Sequence, residues 1–256
     1  MRVLRLSNSE DSAGDLPPQK RPWRIAGDVL AAAAGEPVET TVRVVWPDPS
    51  LPDLVDRWLD RYGPDMVFLK VNWYWYGYES VPLRLRRRVP VLGRPLAAAG
   101  DGTTRITWLA RTRGYKAARH LANRVIGGDA NFTCDEVIER MQAVIKRIVA
   151  REDIILVVKG TGGGRDAFGA LGPYYQRFVP RREYVEGAIE AHCAELGVHY
   201  TSIGRLRTRE EADIDRGDGV HKGERGLGRV GVSEGNVMVQ AWEAERAGSR
   251  PIVHRA

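Results

Sequence analysis

The sequence predicts an α/β protein whose strands run parallel in one sheet. Three features carry this expectation. Short apolar runs recur along the chain, stretches with apolar residues at 3–4 spacing separate them, and some of the runs are apolar nearly throughout. Strands that alternate with helices join through right-handed crossovers, and continuous apolarity suits a strand covered on both faces. A chain of 256 residues fits one domain, 1–256, with room for an insertion.

Taken in order, residues 3–6 form a first strand. Residues 23–34 read as a helix, stopped by Gly35 with Pro37 beyond it. Residues 42–45 are the second strand. From 50 to 62, Leu51, Leu54, Val55, Trp58 and Leu59 recur at helical spacing, and Gly63-Pro64 closes the run. Residues 66–71 are the third strand. A helix over 135–150 takes Thr133 or Asp135 as its cap and sets Val137, Ile138, Met141, Val144, Ile145 and Ile148 on one face. Residues 154–159 are the fourth strand, 182–196 a helix, 198–203 the fifth strand and 234–246 a closing helix.

Composition narrows the function classes. Hydrophobic content of 43% and charged content of 28% belong to a globular chain rather than a disordered one. The net charge of +6 rests on arginine, as at Arg84, Arg86, Arg87 and Arg88. Acidic residues are interspersed almost everywhere else and no nucleic-acid-binding motif appears, so solvated basic faces account for the charge and no nucleic-acid partner is expected. The two cysteines, Cys134 and Cys193, lie far apart without metal-ligand spacing, so neither a disulfide scaffold nor a metal site is expected. No window approaches the roughly 18 apolar residues of a membrane helix, and the N-terminus has no signal-peptide core, which predicts a cytoplasmic protein.

Polar residues of chemical interest fall at strand ends, where ligands of open parallel sheets collect. Ser9 follows the first strand, Asp48 and Ser50 the second, and Asn72 ends the third. After the fifth strand comes Asp218-Gly219-Val220-His221. Glycines at 217, 219 and 223 let the Asp218 carboxylate fold back on the His221 imidazole, fixing its tautomer and leaving one ring nitrogen to take a proton. A polar surface loop carrying a histidine is the plainer reading of that stretch.

Ser7-Asn8-Ser9 after a strand, a polar residue ending the third strand and D-x-x-H near the C-terminus, in that order, resemble the blocks of the SGNH (GDSL-like) hydrolases. The resemblance spans residue 3 to about 242. It implies a three-layer α/β/α sandwich with a flavodoxin-like five-stranded parallel sheet of order 2-1-3-4-5, and an ester hydrolase acting on a small-molecule ester without a cofactor. By residue, it makes Ser9 the nucleophile, His221 the general base and Asp218 the carboxylate that orients it. It assigns the oxyanion donors to the Ser9 amide, an amide after strand two and an asparagine after strand three.

This chain departs from the family around Ser9 and after the second and third strands. Serine and asparagine precede Ser9 where the family has G-D, and Ser12 is a spare hydroxyl. The glycine after strand two is replaced by Trp46-Pro47-Asp48-Pro49-Ser50, where the prolines have no N–H, so the amide falls to Asp48 or Ser50. The family's G-x-N-D becomes Asn72-Trp73-Tyr74-Trp75, so Asn72 serves as donor only with a two-residue shift and Tyr74 is its reserve.

Residues 73–134 form an insertion after strand three, read as a cap. Its opening aromatics, Trp73, Tyr74 and Trp75, are expected to line the substrate, with core packing or a dimer surface as the alternative; a homo-oligomer is left open. Gly162, Gly164 and Ala167 match G-x-G-x-x-A after strand four, but two glycines and a proline follow where a phosphate-binding helix must begin, so a Rossmann-like nucleotide site ranks below the hydrolase. The other alternative is a binding protein of this fold that hydrolyses weakly.

Overall fold

The computed structural model describes residues 1–7, 11, 16–77, 79–88, 114, 121, 125, 127–161, 178–202, 223–249 and 253–254. Ser9, Ser12, Asp218, His221 and the glycine-rich stretch from Gly162 onward lie outside them. The described elements are β1 (Arg2–Ser7), α1 (Pro22–Ala34), β2 (Glu39–Val44), α2 (Leu51–Tyr62), β3 (Met66–Lys70), α3 (Tyr74–Gly77), α4 (Val81–Arg88), α5 (Cys134–Val149), β4 (Ile155–Lys159), α6 (Val179–Leu196), β5 (His199–Thr201), α7 (Glu224–Arg246) and β6 (Val253–His254).

Every strand pairing is parallel, in the order β2-β1-β3-β4-β5-β6. The five-strand order 2-1-3-4-5 is the expected one, and two residues of β6 extend the β5 edge. Because β2 lies on one side of β1 and β3 on the other, the crossover changes direction at β1 and opens a crevice above its carboxyl end.

Strand alternation splits the core into two layers. Leu4, Leu6, Val67, Leu69, Leu156, Val158 and Tyr200 meet α2, α5 and α6, whose inward faces carry Leu51, Val55, Leu59, Met141, Val144, Ile148, Val185 and Ile189. Val3, Met66, Phe68 and Val157 point the other way, onto Ala26 and Leu30 of α1 and Val237, Met238 and Ala241 of α7. Thr133 caps α5 in a full capping box with Glu136, settling the choice between Thr133 and Asp135.

The closing helix departs most from expectation. It begins at Glu224, not near residue 234, and runs through Gly226, Gly228, Gly231 and Gly235. Glycine is a poor helix former, so the stretch reads as loop. Two of these glycines let α7 lie against α1: a Cβ at Gly231 would stand 2.8 Å from Ile25 Cβ, and one at Gly235 2.7 Å from Val29 Cβ. Close packing compensates for the weak propensity. β2 also starts earlier than expected, at Glu39, because its ladder with β1 begins at Arg2.

The chain just before α4 and the chain leading into α5 meet. Ser80 and Asp129 form an antiparallel bridge, with Ser80 N donating to Asp129 O at 2.9 Å and the reciprocal bond at 3.2 Å. Arg87 of α4 donates to the carbonyls of Ala130 and Asn131, both at 3.0 Å, so α4 is tied to the segment that leads into α5.

The glycines of α7 separate by variant. A Cβ at Gly228 would meet nothing within 4 Å, so Gly228→Ala should raise Tm through helix propensity, worth about 1 kcal/mol. Gly235→Ala should lower Tm despite the same gain, since overpacking costs about 1–3 kcal/mol. Thermal unfolding of both variants checks the pair; equal shifts would show that the α1–α7 contact is slack.

Candidate active site

The carboxyl ends of β1, β3 and β4 carry charge where their lower halves are apolar. On the α7 side, the residue after Val3 in the two-residue repeat is Arg5, and beyond it Ser7; Phe68 is followed by Lys70, and Val157 by Lys159. Lys70 and Lys159 are in register on neighbouring strands, and Arg5 is in register with Phe68, over whose ring its guanidinium sits at 4.8 Å. Arg5, Lys70 and Lys159 are 1%, 4% and 7% exposed.

Two buried carboxylates answer them. Glu234 of α7 accepts from Arg5 Nη2 in a close contact, from Lys159 Nζ at 2.6 Å and from Lys70 Nζ at 3.0 Å. Asp11, just past β1, accepts from Arg5 Nε at 2.7 Å and Nη2 at 3.3 Å, from Lys70 at 3.5 Å and from the Ser7 hydroxyl at close range. Burial alone would push the Glu234 carboxyl up; Arg5, Lys159 and Lys70 outweigh it and hold the group well below the usual carboxylate range. Burial likewise opposes the charge on Arg5, and Asp11 and Glu234 reverse that effect and raise its pKa.

The loops after β2 and β3 meet through aromatic rings. The Trp46 ring lies 6.3 Å from Tyr74 and 5.6 Å, edge-on, from Phe132, while Arg140 stacks over Phe132 and donates to the Pro47 carbonyl. β2 and β3 flank β1, so the contact joins the loops on either side of the strand that leads to Ser9.

Asn72 opens its loop with an Asx turn. Its Oδ1 accepts the Tyr74 N–H at 3.0 Å, and its backbone carbonyl accepts from Trp75 N at 3.2 Å. Because the partner is a donor, the oxygen must face it. The Nδ2 amide is left as a donor with no hydrogen-bond partner among the described residues.

Asp48 is placed differently from expectation. Its amide donates to Trp46 O at 2.7 Å, and its carboxylate accepts from Ser50 N at 2.9 Å and Ser50 Oγ at 2.6 Å. Both candidate amides after strand two are therefore engaged within the turn that starts α2. Trp75, expected in the substrate wall, is 1% exposed and packs in the core with Tyr76; Trp73 is half-buried against it, and only Tyr74 presents its ring to solvent.

A second polar group lies on the opposite face of the sheet. Tyr76 and Thr161 share a 2.8 Å hydroxyl contact, and burial raises the Tyr76 and Tyr200 phenols, so both stay protonated at neutral pH. A Cβ at Gly160 would collide with Tyr200 Oη, which explains a glycine at the end of β4. Beside Tyr76, a recess of about 670 Å³ is lined by Glu79, Arg87, Phe132, Cys134 and Arg181. Glu79 and Arg181 form an ion pair there at 3.1 Å.

Among the described residues no group of three or more His, Cys, Asp or Glu is placed to hold a metal ion, and no helix is long and apolar enough to cross a membrane. Cys134 and Cys193 are both free thiols. Arg5, Asp11, Lys70, Lys159 and Glu234 escaped the sequence reading. Part of the signal was present: Arg5, Lys70 and Lys159 are single charged residues in otherwise apolar strands that should be buried on both faces.

No protein-family model and no curated protein matches the chain. Solved structures do match in fold. The psychrotrophic esterase EstA from Pseudoalteromonas sp. aligns over 96% of this chain and 98% of its own, with a TM-score of 0.52 at 10% identity. TesA aligns over 94% and 99%, with a TM-score of 0.53 at 12% identity. A protein described as a GDSL-like lipase from Parabacteroides merdae aligns over 92% and 95%, with a TM-score of 0.51 at 10% identity. The chain thus has the α/β/α fold of SGNH (GDSL-like) esterases and lipases, the family its sequence resembles.

The depressed pKa of Glu234 ties stability to pH. Such a carboxylate stabilises the fold above its unfolded pKa of about 4.3, and this contribution is lost as pH falls toward the folded value. The urea midpoint of the wild type should therefore drop below about pH 4. Glu234→Gln should start lower and lose less across the same window; an equally steep fall would rule Glu234 out as the source.

Proposed function

We propose that this chain is a serine hydrolase that cleaves a small-molecule ester at the carboxyl ends of β1 and β3. Ser9 attacks the acyl carbon, His221 takes the serine proton and returns it to the leaving alcohol, and Asp218 orients His221 and stabilises its imidazolium. The Ser9 amide and Asn72 Nδ2 donate to the oxyanion. The observation that supports this reading is the Asn72 turn just past β3, which commits Oδ1 to the backbone and leaves the side-chain N–H₂ available to donate. The esterases and lipases that share the fold support it.

A second reading, a binding protein of the same fold with little turnover, is favoured by one observation. The Asp48 and Ser50 amides are both engaged, so neither amide expected to serve as a donor after β2 is open.

Hydrolysis of short p-nitrophenyl esters separates the two readings. The wild type should turn over and Ser9→Ala should not, and an organophosphonate should label Ser9 as mapped by peptide mass spectrometry. EstA was solved inhibited by monoethylphosphonate, which makes that reagent class a natural probe. Label on Ser12, or turnover indifferent to Ser9→Ala, would refute the assignment. With neutral His221 as base, the rate should fall as pH drops through about 6.5.

Asn72→Ala tests the donor. Loss of one oxyanion donor lowers kcat by roughly 100- to 1000-fold, and KM should change little. An equal rise in KM with kcat intact would move Asn72 from transition-state stabilisation to substrate binding.

A further inference from the structure

We propose that the buried network of Arg5, Asp11, Lys70, Lys159 and Glu234 is a positioning device that sets the nucleophile segment against the helix following the catalytic base. The inference rests on the hydrolase reading above and concerns how its two reacting groups are held in register.

The network joins two pieces of chain that flank the proposed reacting residues. Asp11 stands two residues after Ser9, and Ser7, two residues before it, donates its hydroxyl to Asp11. Two peptide units span at most about 7 Å, so pinning both Ser7 and Asp11 limits the reach of whatever stands between them. At the other end, Glu234 lies in α7, which begins at Glu224, three residues after His221. Arg5 bonds both carboxylates at once, Asp11 through Nε and Nη2 and Glu234 through Nη2. A guanidinium holds such a double contact in one fixed geometry, where an ammonium would not. Lys70 repeats the link, at 3.5 Å to Asp11 and 3.0 Å to Glu234.

Stability alone does not call for this arrangement. The lower half of the same layer is filled by Val3, Phe68, Val157, Val237 and Met238, and apolar residues could continue upward. Burying ions costs several kcal/mol each, and replacing a buried ion pair by apolar residues of similar size is often neutral or stabilising. What apolar packing does not supply is directional, multi-point attachment between the loop after β1 and α7. Reacting groups must be held closely: a displacement of about 1 Å lowers rates by as much as 100-fold.

The test removes the attachment while keeping the charge balance. Lys159→Met with Glu234→Leu takes away one cation and one carboxylate, leaving Arg5 and Lys70 on Asp11. Kinetics with p-nitrophenyl acetate are read beside thermal unfolding, with Ser9→Ala as control. The expected result is a folded double variant with Tm near or above that of the wild type, kcat lowered roughly 10- to 100-fold, KM within about twofold, and slower phosphonate labelling of Ser9. Asp11→Asn, which keeps the shape and removes the charge, should give the same split between kcat and KM and covers the case of a double variant that does not fold. Wild-type kcat in either folded variant, with turnover still dependent on Ser9, overturns the positioning role and leaves the hydrolase reading standing. Turnover that survives Ser9→Ala overturns both.

Discussion

Arg5, Lys70 and Lys159 are drawn out of water by the strands that carry them, and a buried cation is costly unless a carboxylate meets it. Glu234 meets all three. It can do so only because α7 lies close over the ends of β1, β3 and β4, and α7 lies where its contact with α1 puts it. The path from sequence to site therefore runs through two glycines. Gly231 and Gly235 admit α1, and Glu234, adjacent in sequence to Gly235, faces the strand ends instead.

Much of the fold was legible in the sequence because its signals are local. The 3–4 spacing of Leu51, Val55 and Leu59 and the Thr133–Glu136 capping box depend on residues within one or two turns. The helix from Glu224 was not legible, since its propensity is poor and its justification is a surface on α1 about two hundred residues earlier in the chain. The same holds for the ionic network, whose partners are far apart in sequence; Arg5 in an apolar strand was visible, but its match to Glu234 was not. Part of the candidate site was legible too. Asn72 lies two residues beyond the end of β3, while Trp75 is core, because one turn of α3 directs it inward. Ser9, Asp218 and His221 lie outside the described residues, so their roles rest on sequence order and resemblance.

The loop after β2 shows how local geometry redirects a residue. Pro47 and Pro49 cannot donate, which leaves Asp48 and Ser50 to satisfy the turn. The Asp48 amide goes to Trp46 O and the Ser50 amide to the Asp48 side chain, and the turn then delivers the chain into α2. Under the hydrolase reading proposed above, such a loop would leave more of the oxyanion's stabilisation to Asn72 and the serine amide, a single donor being worth roughly 2.7–4 kcal/mol in acyl transfer.

The contact between α1 and α7 also bears on the order in which the molecule is made. Residues of α1 are synthesised early, yet the surface that covers them, and the carboxylate that quiets the cations of β1, β3 and β4, arrives only with Glu234, 229 residues after Arg5. Contacts of such long sequence separation close slowly, and chains that await them expose apolar surface meanwhile. A ribosome-bound intermediate stopped short of α7 would hold one finished layer, that of α2, α5 and α6, and one sheet face covered only by α1 and tipped with Arg5, Lys70 and Lys159, against which Asp11 supplies a single negative charge. Those charges oppose stacking of that face against another copy of itself, so the residues that later organise the strand ends can first serve to keep the unfinished chain apart from its neighbours.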